Sequence, residues 1–173
     1  MKQATKRLLK LREDAQHILR VEQTAHAHAK PNHCFQNAVA ENRRSGNRIV
    51  AGWIVGDYHK HIDQSPIMFH FWNCDDDGNH YDTTPLANDL QQCFEYVRDD
   101  AVYFESQKWC KDNGIEDILL PPAIKMTSAG IKIATREQGQ GFGWSPQPEQ
   151  PFSIYDLFEL RARFQKAFAI EQA

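Results

Sequence analysis

Apolar positions over residues 3–22 recur every three to four places: Leu8, Leu9, Leu11, Ile18, Leu19 and Val21 alternate with charged side chains. That period predicts one amphipathic helix with its apolar stripe on a core. The stretch His26–His33, HAHAKPNH, interrupts it. Asn32 is placed to cap a second helix through CFQNAVAENRR, ending before Ser45 and Gly46. Residues 48–56, RIVAGWIVG, read as a buried strand whose glycines admit close neighbours. A polar loop with His59, His61 and Pro66 leads to a second strand over 67–73, IMFHFWN. The acidic turn Asp75–Gly78 joins it to a third strand that begins HYDTTP and stops at Pro85.

The remainder is less sharply patterned. NDLQQCFEYV reads as a short helix or the approach to a strand, and QKWCKDNG ends as a helix does, with Gly114 near its C-terminus. Residues 137–151 are rich in Gly, Pro and Gln and predict a long surface loop. Ser153 and Asp156 form a capping-box pattern ahead of a last helix, whose stripe of Phe158, Phe164 and Phe168 belongs to the core. The expected fold class is therefore α+β. A cysteine-bearing helix packs on an antiparallel sheet, with helices flanking it at both ends.

A chain of 173 residues, 41% apolar, is long enough for one domain with a core that needs no metal or disulfide. It divides into a helix and loop (1–30), a central set of motifs (31–86) and the remaining sheet, loops and last helix (87–173). The net charge of -3 supplies no general attraction for nucleic acid. No apolar run spans a bilayer, and the charged N-terminus lacks the apolar segment of a secretory signal. A cytoplasmic location is expected, with non-classical export left open. Cys34, Cys74, Cys93 and Cys110 form no CxxC pair and read as thiols in a reducing compartment.

Cys34 stands at the start of the second helix, behind Pro31, Asn32 and His33. Unpaired N–H groups and the dipole at a helix start favour a thiolate, and the same groups can hold a developing oxyanion. A nucleophilic cysteine also needs a base and an orienting group. Strand alternation puts His70 and Trp72 on one face, Phe69 and Phe71 on the other. A histidine buried among aromatics calls for partners at both ring nitrogens. Asp82, twelve residues on and across the acidic turn, lies where the next antiparallel strand should offer one. A register slip would put one of Asp75, Asp76 or Asp77 in that role instead.

The segments CFQNA (34–38), RIVAGW (48–53) and HFWNCDDDGNHYDTTP (70–85) resemble, in order and kind, the transglutaminase-like superfamily of the papain-like fold. The resemblance covers about residues 31–86. It implies Cys34 as nucleophile, His70 as base and Asp82 as orienter. Phe71 stands where that family often has a small residue between histidine and tryptophan, and DTTP replaces a tighter D-P-T.

Four further residues are candidate supports. Asn37, one turn after Cys34, either hydrogen-bonds within the site or caps a buried strand. Gln23 lies upstream of the cysteine, where papain-like enzymes often keep an oxyanion donor. Trp53 and Trp72 either wall a substrate channel or pack in the core. Gln36 reads as structural. The expected reaction is acyl transfer from an amide through a thioester, with a peptide or protein amide as substrate. Protease, amidase or glutamine deamidase activity is favoured over transglutaminase crosslinking, and no cofactor is called for. One alternative is a catalytically silent binding or structural module on the same fold. Another is a metal-binding regulator built on His26, His28 and His33 with Cys34, although their spacing matches no compact zinc pattern and no metal ligand is assigned. Oligomeric state is not legible.

Overall fold

The computed structural model describes residues 1–24, 26–85, 94–116, 124–128, 130–133, 136–137, 140–141, 153–159 and 162. It is a mixed α+β protein with a curled sheet and four helices: α1 (Gln3–Leu11), α2 (Cys34–Ser45), α3 (Asp100–Asp112) and a last one over 154–159. The sheet contains β1 (Gln16–Ile18), β2 (Val21–Gln23), β3 (Arg48–Val55), β4 (Ser65–Cys74), β5 (His80–Asp82), β6 (Glu95–Arg98), β7 (Ile124–Thr127) and β8 (Gly130–Ile133). Its main path runs β1-β6-β3-β4-β5-β2, with β7 joining β4 and β8 joining β7. All pairs in it are antiparallel except β2 with β5.

The two ends of that path are consecutive in the chain. Only Leu19 and Arg20 separate β1 from β2. Three virtual bonds reach at most about 11 Å, so the strands cannot lie flat in one plane and the sheet closes on itself. The curl separates two cores. On the outer face, Ala51, Trp53 and Val55 of β3 and Ile67, Phe69 and Phe71 of β4 receive all four helices, among them Leu8, Ala38, Val102 and Phe158. Inside the curl, Val50, Ile54, Trp72, Cys74 and Tyr96 pack together, with Ile18 and Val21 supplied by β1 and β2.

The first helix departs from the expected span of 3–22, because the chain leaves helical geometry at Arg12, with φ -128° and ψ 96°. Arg12 turns inward instead. Its guanidinium bonds Asp99 at 2.7 and 3.2 Å and also reaches Glu105, and Asp99 in turn accepts the Trp53 indole N–H at 2.9 Å. Satisfying a buried carboxylate outweighs about three more helical turns. Ile18 and Val21 then serve the inner core as strand residues, while Leu19 at the link is 92% exposed.

Elsewhere the elements fall close to the expected places. α2 ends at Gly46, whose φ of 80° is the left-handed cap that glycine adopts without penalty. Its N-cap is His33 with no side-chain bond; Asn32 instead takes a positive φ of 62° one residue earlier. The acidic turn closes with Gly78 N–H on the Asp75 carbonyl and Asp75 N–H on the Asn79 carbonyl. The stretch that includes QKWCKDNG is the longer helix α3, and Glu95–Arg98 is a strand rather than a helix. The Ser153–Asp156 capping box is formed in both directions, at 2.8 and 3.2 Å, and Phe158 stacks on Trp109 with ring centroids 4.4 Å apart. Part of the expected loop 137–151 is a small hairpin between β9 (Arg136–Glu137) and β10 (Gln140–Gly141). Cys93, the expected loop over 142–151, Phe164 and Phe168 lie outside the described residues. Among the described residues, no helix is long and apolar enough to cross a membrane.

Gly52 sits where β3 crosses behind the site. A Cβ there would stand 2.1 Å from the Val97 carbonyl oxygen, 2.9 Å from the Arg98 Cα and 2.9 Å from the Trp72 ring. Two of these obstacles are backbone, so the β3–β6 pairing itself would have to open. Gly52→Ala should destabilise the protein by about 2 kcal/mol or more. Urea denaturation followed by tryptophan fluorescence measures this, and an unchanged midpoint would refute the close approach.

Candidate active site

β4 is paired with β3 along residues 67–74, but its other edge is shared. β7 takes residues 65–67 and β5 takes 73–74. Residues 68–72 have no strand partner on that edge among the described residues, and the N-terminus of α2 enters there. The Phe71 backbone N–H accordingly finds the Cys34 sulfur instead of a strand carbonyl. The gap in the sheet thus brings the thiol to the strand that carries His70.

The His70 side chain projects toward the inner core and is 10% exposed. Its Nε2 bonds Asp82 Oδ2 at 2.6 Å, leaving Nδ1 for the Cys34 thiol, which lies near enough for ring and sulfur to shift one another's titration. The β4–β5 register, Asn73 opposite Tyr81, sets Asp82 diagonally from His70 on the same face, the arrangement in which long side chains meet. The three residues singled out for nucleophile, base and orienter are therefore brought together, and the acidic turn Asp75–Asp77 stays apart from them.

Asp82 is almost fully enclosed. Its Oδ1 accepts the Thr84 N–H at 2.8 Å, an Asx-type turn within DTTP. Its Oδ2 accepts the Tyr96 hydroxyl at 2.8 Å as well as His70, and its backbone carbonyl accepts the Thr24 N–H at 2.9 Å. Burial pushes the carboxyl up, but the His70 hydrogen bond and charge, with the Thr84 and Tyr96 donors, bring it below its ordinary value. Burial likewise pushes the imidazole down, and hydrogen bonds to Asp82 and Cys34 with their negative charge overcome this and raise it to about 9. For Cys34, burial raises the thiol; the His70 bond and charge and the Phe71 N–H outweigh burial and the repulsion of Asp82, so the thiol lies below its ordinary value. The three shifts favour a thiolate–imidazolium pair backed by a carboxylate.

The four supporting candidates separate. Asn37 is 7% exposed and clamps the approach to the helix. Its amide bonds both the N–H and the carbonyl of Lys30, at 3.1 and 2.8 Å, and reaches Thr84 Oγ1 at 3.3 Å. It thereby ties the loop before Cys34 to the strand end after Asp82. Trp72 lies parallel to His70, with centroids 6.4 Å apart, and donates its indole N–H to His80 Nδ1 at 2.9 Å, so it backs the imidazole from inside the curl. Trp53 is fully buried on the opposite face of the sheet, packed in the outer core and bonded to Asp99. Gln23 lies on β2 beside Asp82 in register and donates to the Tyr96 hydroxyl at 2.7 Å. That contact puts its amide at the carboxylate end of the line of side chains.

Tyr96, Thr84 and the Phe71 N–H were not singled out from the sequence. Thr84 was findable, since an Asp followed two residues later by a free N–H is a recurrent local bond. Tyr96 carried no signal beyond being an aromatic in a weakly patterned stretch. The histidine stretch is divided: His26 reaches Glu41 at 3.3 Å, while His28 and His33 are exposed. Among the described residues, no group of three or more His, Cys, Asp or Glu side chains could hold a metal ion. No protein-family model matches this chain, and neither curated proteins nor solved structures contain a match to it.

The raised imidazole has a consequence for stability. A group whose folded value lies above its unfolded one stabilises the fold fully below the unfolded value, and that contribution fades as pH rises through the folded value. Cys34 titrates in the opposite sense, so the effect is cleanest with the thiol removed. A Cys34→Ser protein should be most stable to urea just below about pH 6.5, above the acid range in which Asp82 protonates, and lose stability as the pH climbs through the His70 value that Asp82 alone keeps raised. Adding Asp82→Asn should flatten that slope. A slope unchanged by Asp82→Asn would mean that the carboxylate does not hold the imidazolium.

Proposed function

We propose that this protein is a cysteine-dependent acyl-transfer enzyme on a transglutaminase-like, papain-like core, acting on a peptide or protein amide through a thioester. The observation that carries the reading is the convergence of the Cys34 thiol, the His70 imidazole and the enclosed Asp82 carboxylate bonded to it, with the thiol at the first position of a helix.

The proposed reaction runs in two halves. The Cys34 thiolate attacks the amide carbonyl carbon, and the carbonyl electron pair moves onto oxygen. Asn37 is bonded back to His33, so the amides of Cys34, Phe35 and Gln36 precede the first residue of α2 with a helical carbonyl to bond. They are the nearest fixed donors for that oxyanion. Collapse of the tetrahedral intermediate breaks the C–N bond, and the His70 imidazolium supplies the proton that the departing amine or ammonia takes up. In the second half the neutral imidazole removes a proton from water, which attacks the thioester. The carboxylic acid leaves and the thiolate–imidazolium pair is restored. An amine in place of water would give transamidation, and hydrolysis is the favoured outcome. Asp82 holds its charge throughout and keeps the ring oriented.

The test is the pH dependence of iodoacetamide labelling at each cysteine of the folded protein, read by peptide mass spectrometry. Cys34 should label with a midpoint below the ordinary thiol value, whereas Cys74 and Cys110, each 2% exposed, should label only on unfolding. His70→Ala should move the Cys34 midpoint upward and slow its labelling near pH 7 by about tenfold or more. Labelling of Cys34 unaffected by His70→Ala would sink the proposal. With a responsive thiol in hand, release of ammonia or amine from glutaminyl and peptidyl amides distinguishes the hydrolytic reactions.

A further inference from the structure

Resting on that reading of the site, we infer that Tyr96 is a positioning residue of the reaction: its hydroxyl, oriented by Gln23, shares the Asp82 oxygen that holds His70 and so limits how strongly the carboxylate grips the imidazole.

The geometry leaves little freedom for the hydroxyl proton. Gln23 Nε2 donates to the Tyr96 oxygen at 2.7 Å, which occupies an acceptor position there. The tyrosine proton is then directed to Asp82 Oδ2, 2.8 Å away. That is the same oxygen that His70 Nε2 meets at 2.6 Å, while Oδ1 is taken by Thr84. Two donors compete for the charge of one oxygen. A carboxylate whose charge is shared with a hydroxyl is a weaker base toward its other partner. The imidazolium is consequently held less tightly than an undivided carboxylate would hold it, which suits a group that has to give up its proton to the leaving amine.

The surroundings support a role specific to the hydroxyl. Tyr96 is 6% exposed, and its ring packs edge-on to Trp72 at 5.3 Å and to His70 at 6.1 Å, contacts a phenylalanine would keep. The titratable groups that face this hydroxyl are Asp82 from β5 and His70 from β4; β2 presents the uncharged Gln23, and the core in which Tyr96 packs is otherwise apolar, with Ile18, Val21, Ile54, Met68 and Phe94. Cys34 of α2 faces His70 from the other side. His80 lies behind Trp72. Burial and the Asp82 charge hold the Tyr96 hydroxyl protonated, so it acts as a fixed donor at working pH.

The experiment follows the His70 imidazole resonances by NMR against pH in the wild type, Tyr96→Phe, Gln23→Ala, and Asp82→Asn with and without Tyr96→Phe. Tyr96→Phe should raise the His70 midpoint by about half a unit. Gln23→Ala, a change at an exposed position that spares the core, should move it in the same direction by less. On the Asp82→Asn background, Tyr96→Phe should no longer raise it. A midpoint that stays in place or falls in both Tyr96→Phe and Gln23→Ala overturns the inference, as does an equal rise in the presence of Asp82→Asn. The imidazole titration does not depend on thiol reactivity. A Tyr96 effect beside an unactivated Cys34 would therefore refute the enzymatic reading and retain the sharing of charge. An activated Cys34 beside an unmoved His70 would do the reverse.

Discussion

The short link between β1 and β2 governs much of this molecule. Strands at opposite ends of the sheet path are joined through Leu19 and Arg20 alone, so the sheet has to curl until those edges meet. Without the curl, Gln23 on β2 and Tyr96 on β6 would lie four strands apart by way of β5, β4 and β3. With it they face one another across a small interior and bond at 2.7 Å. The same interior receives Asp82, His70 and Trp72. The bonds of Tyr96 to Gln23 and Asp82 are thus a product of closure, and the polar line they join draws its members from five separate elements.

A second constraint operates on the outer face. The buried Arg12–Asp99 pair ends α1 and takes up the Trp53 indole, and Glu105 extends it to the start of the last helix by accepting the Ile154 N–H at 2.7 Å. Burying such charges is costly unless each is matched, and here each partner has several bonds. The pair fixes where α1 stops and hence where the chain turns back to form β1. The outer network therefore helps to set the length of the segment that closes the inner one.

Local pattern carried the centre of the fold. Strict alternation in IMFHFWN separates Phe69 and Phe71 from His70 and Trp72, and the acidic turn leaves β5 in a register that can present Asp82. These are short-range facts, and they place His70 and Asp82 on one face of adjacent strands. The N-terminal strands were not legible in the same way. Ile18 and Val21 continue the three-to-four-residue rhythm of Leu8 and Leu11, and nothing local marks Arg12 as the end of a helix. What ends it is a carboxylate 87 positions away in sequence. Of the two readings open for Trp53, core packing is the one observed, and Gln23, considered for its place upstream of the cysteine, bonds Tyr96; partners in distant elements, Asp99 and Tyr96, decide where those side chains go.

The break in the outer edge of β4 is the feature that turns these two cores into a site. A continuous strand partner along residues 68–72 would have satisfied the Phe71 N–H and kept the helix start away. Because β7 leaves at Ile67 and β5 arrives only at Asn73, a stretch of backbone with no strand partner on that edge among the described residues faces the first residue of α2. The Phe71 N–H then serves the sulfur, on the strand whose next side chain back is the imidazole. One interruption in strand pairing supplies a hydrogen-bond donor, an opening for the helix and the adjacency of Cys34 to His70. Asn37 secures the arrangement from the other side, since one buried amide holds the loop before the cysteine and the hydroxyl two residues after the aspartate. The thiol is consequently positioned by backbone and by a clamp that does not titrate. Protonation of the site then changes its charge while the elements that hold the geometry keep their bonds, which is the property an acid–base group needs if it is to cycle between states in place.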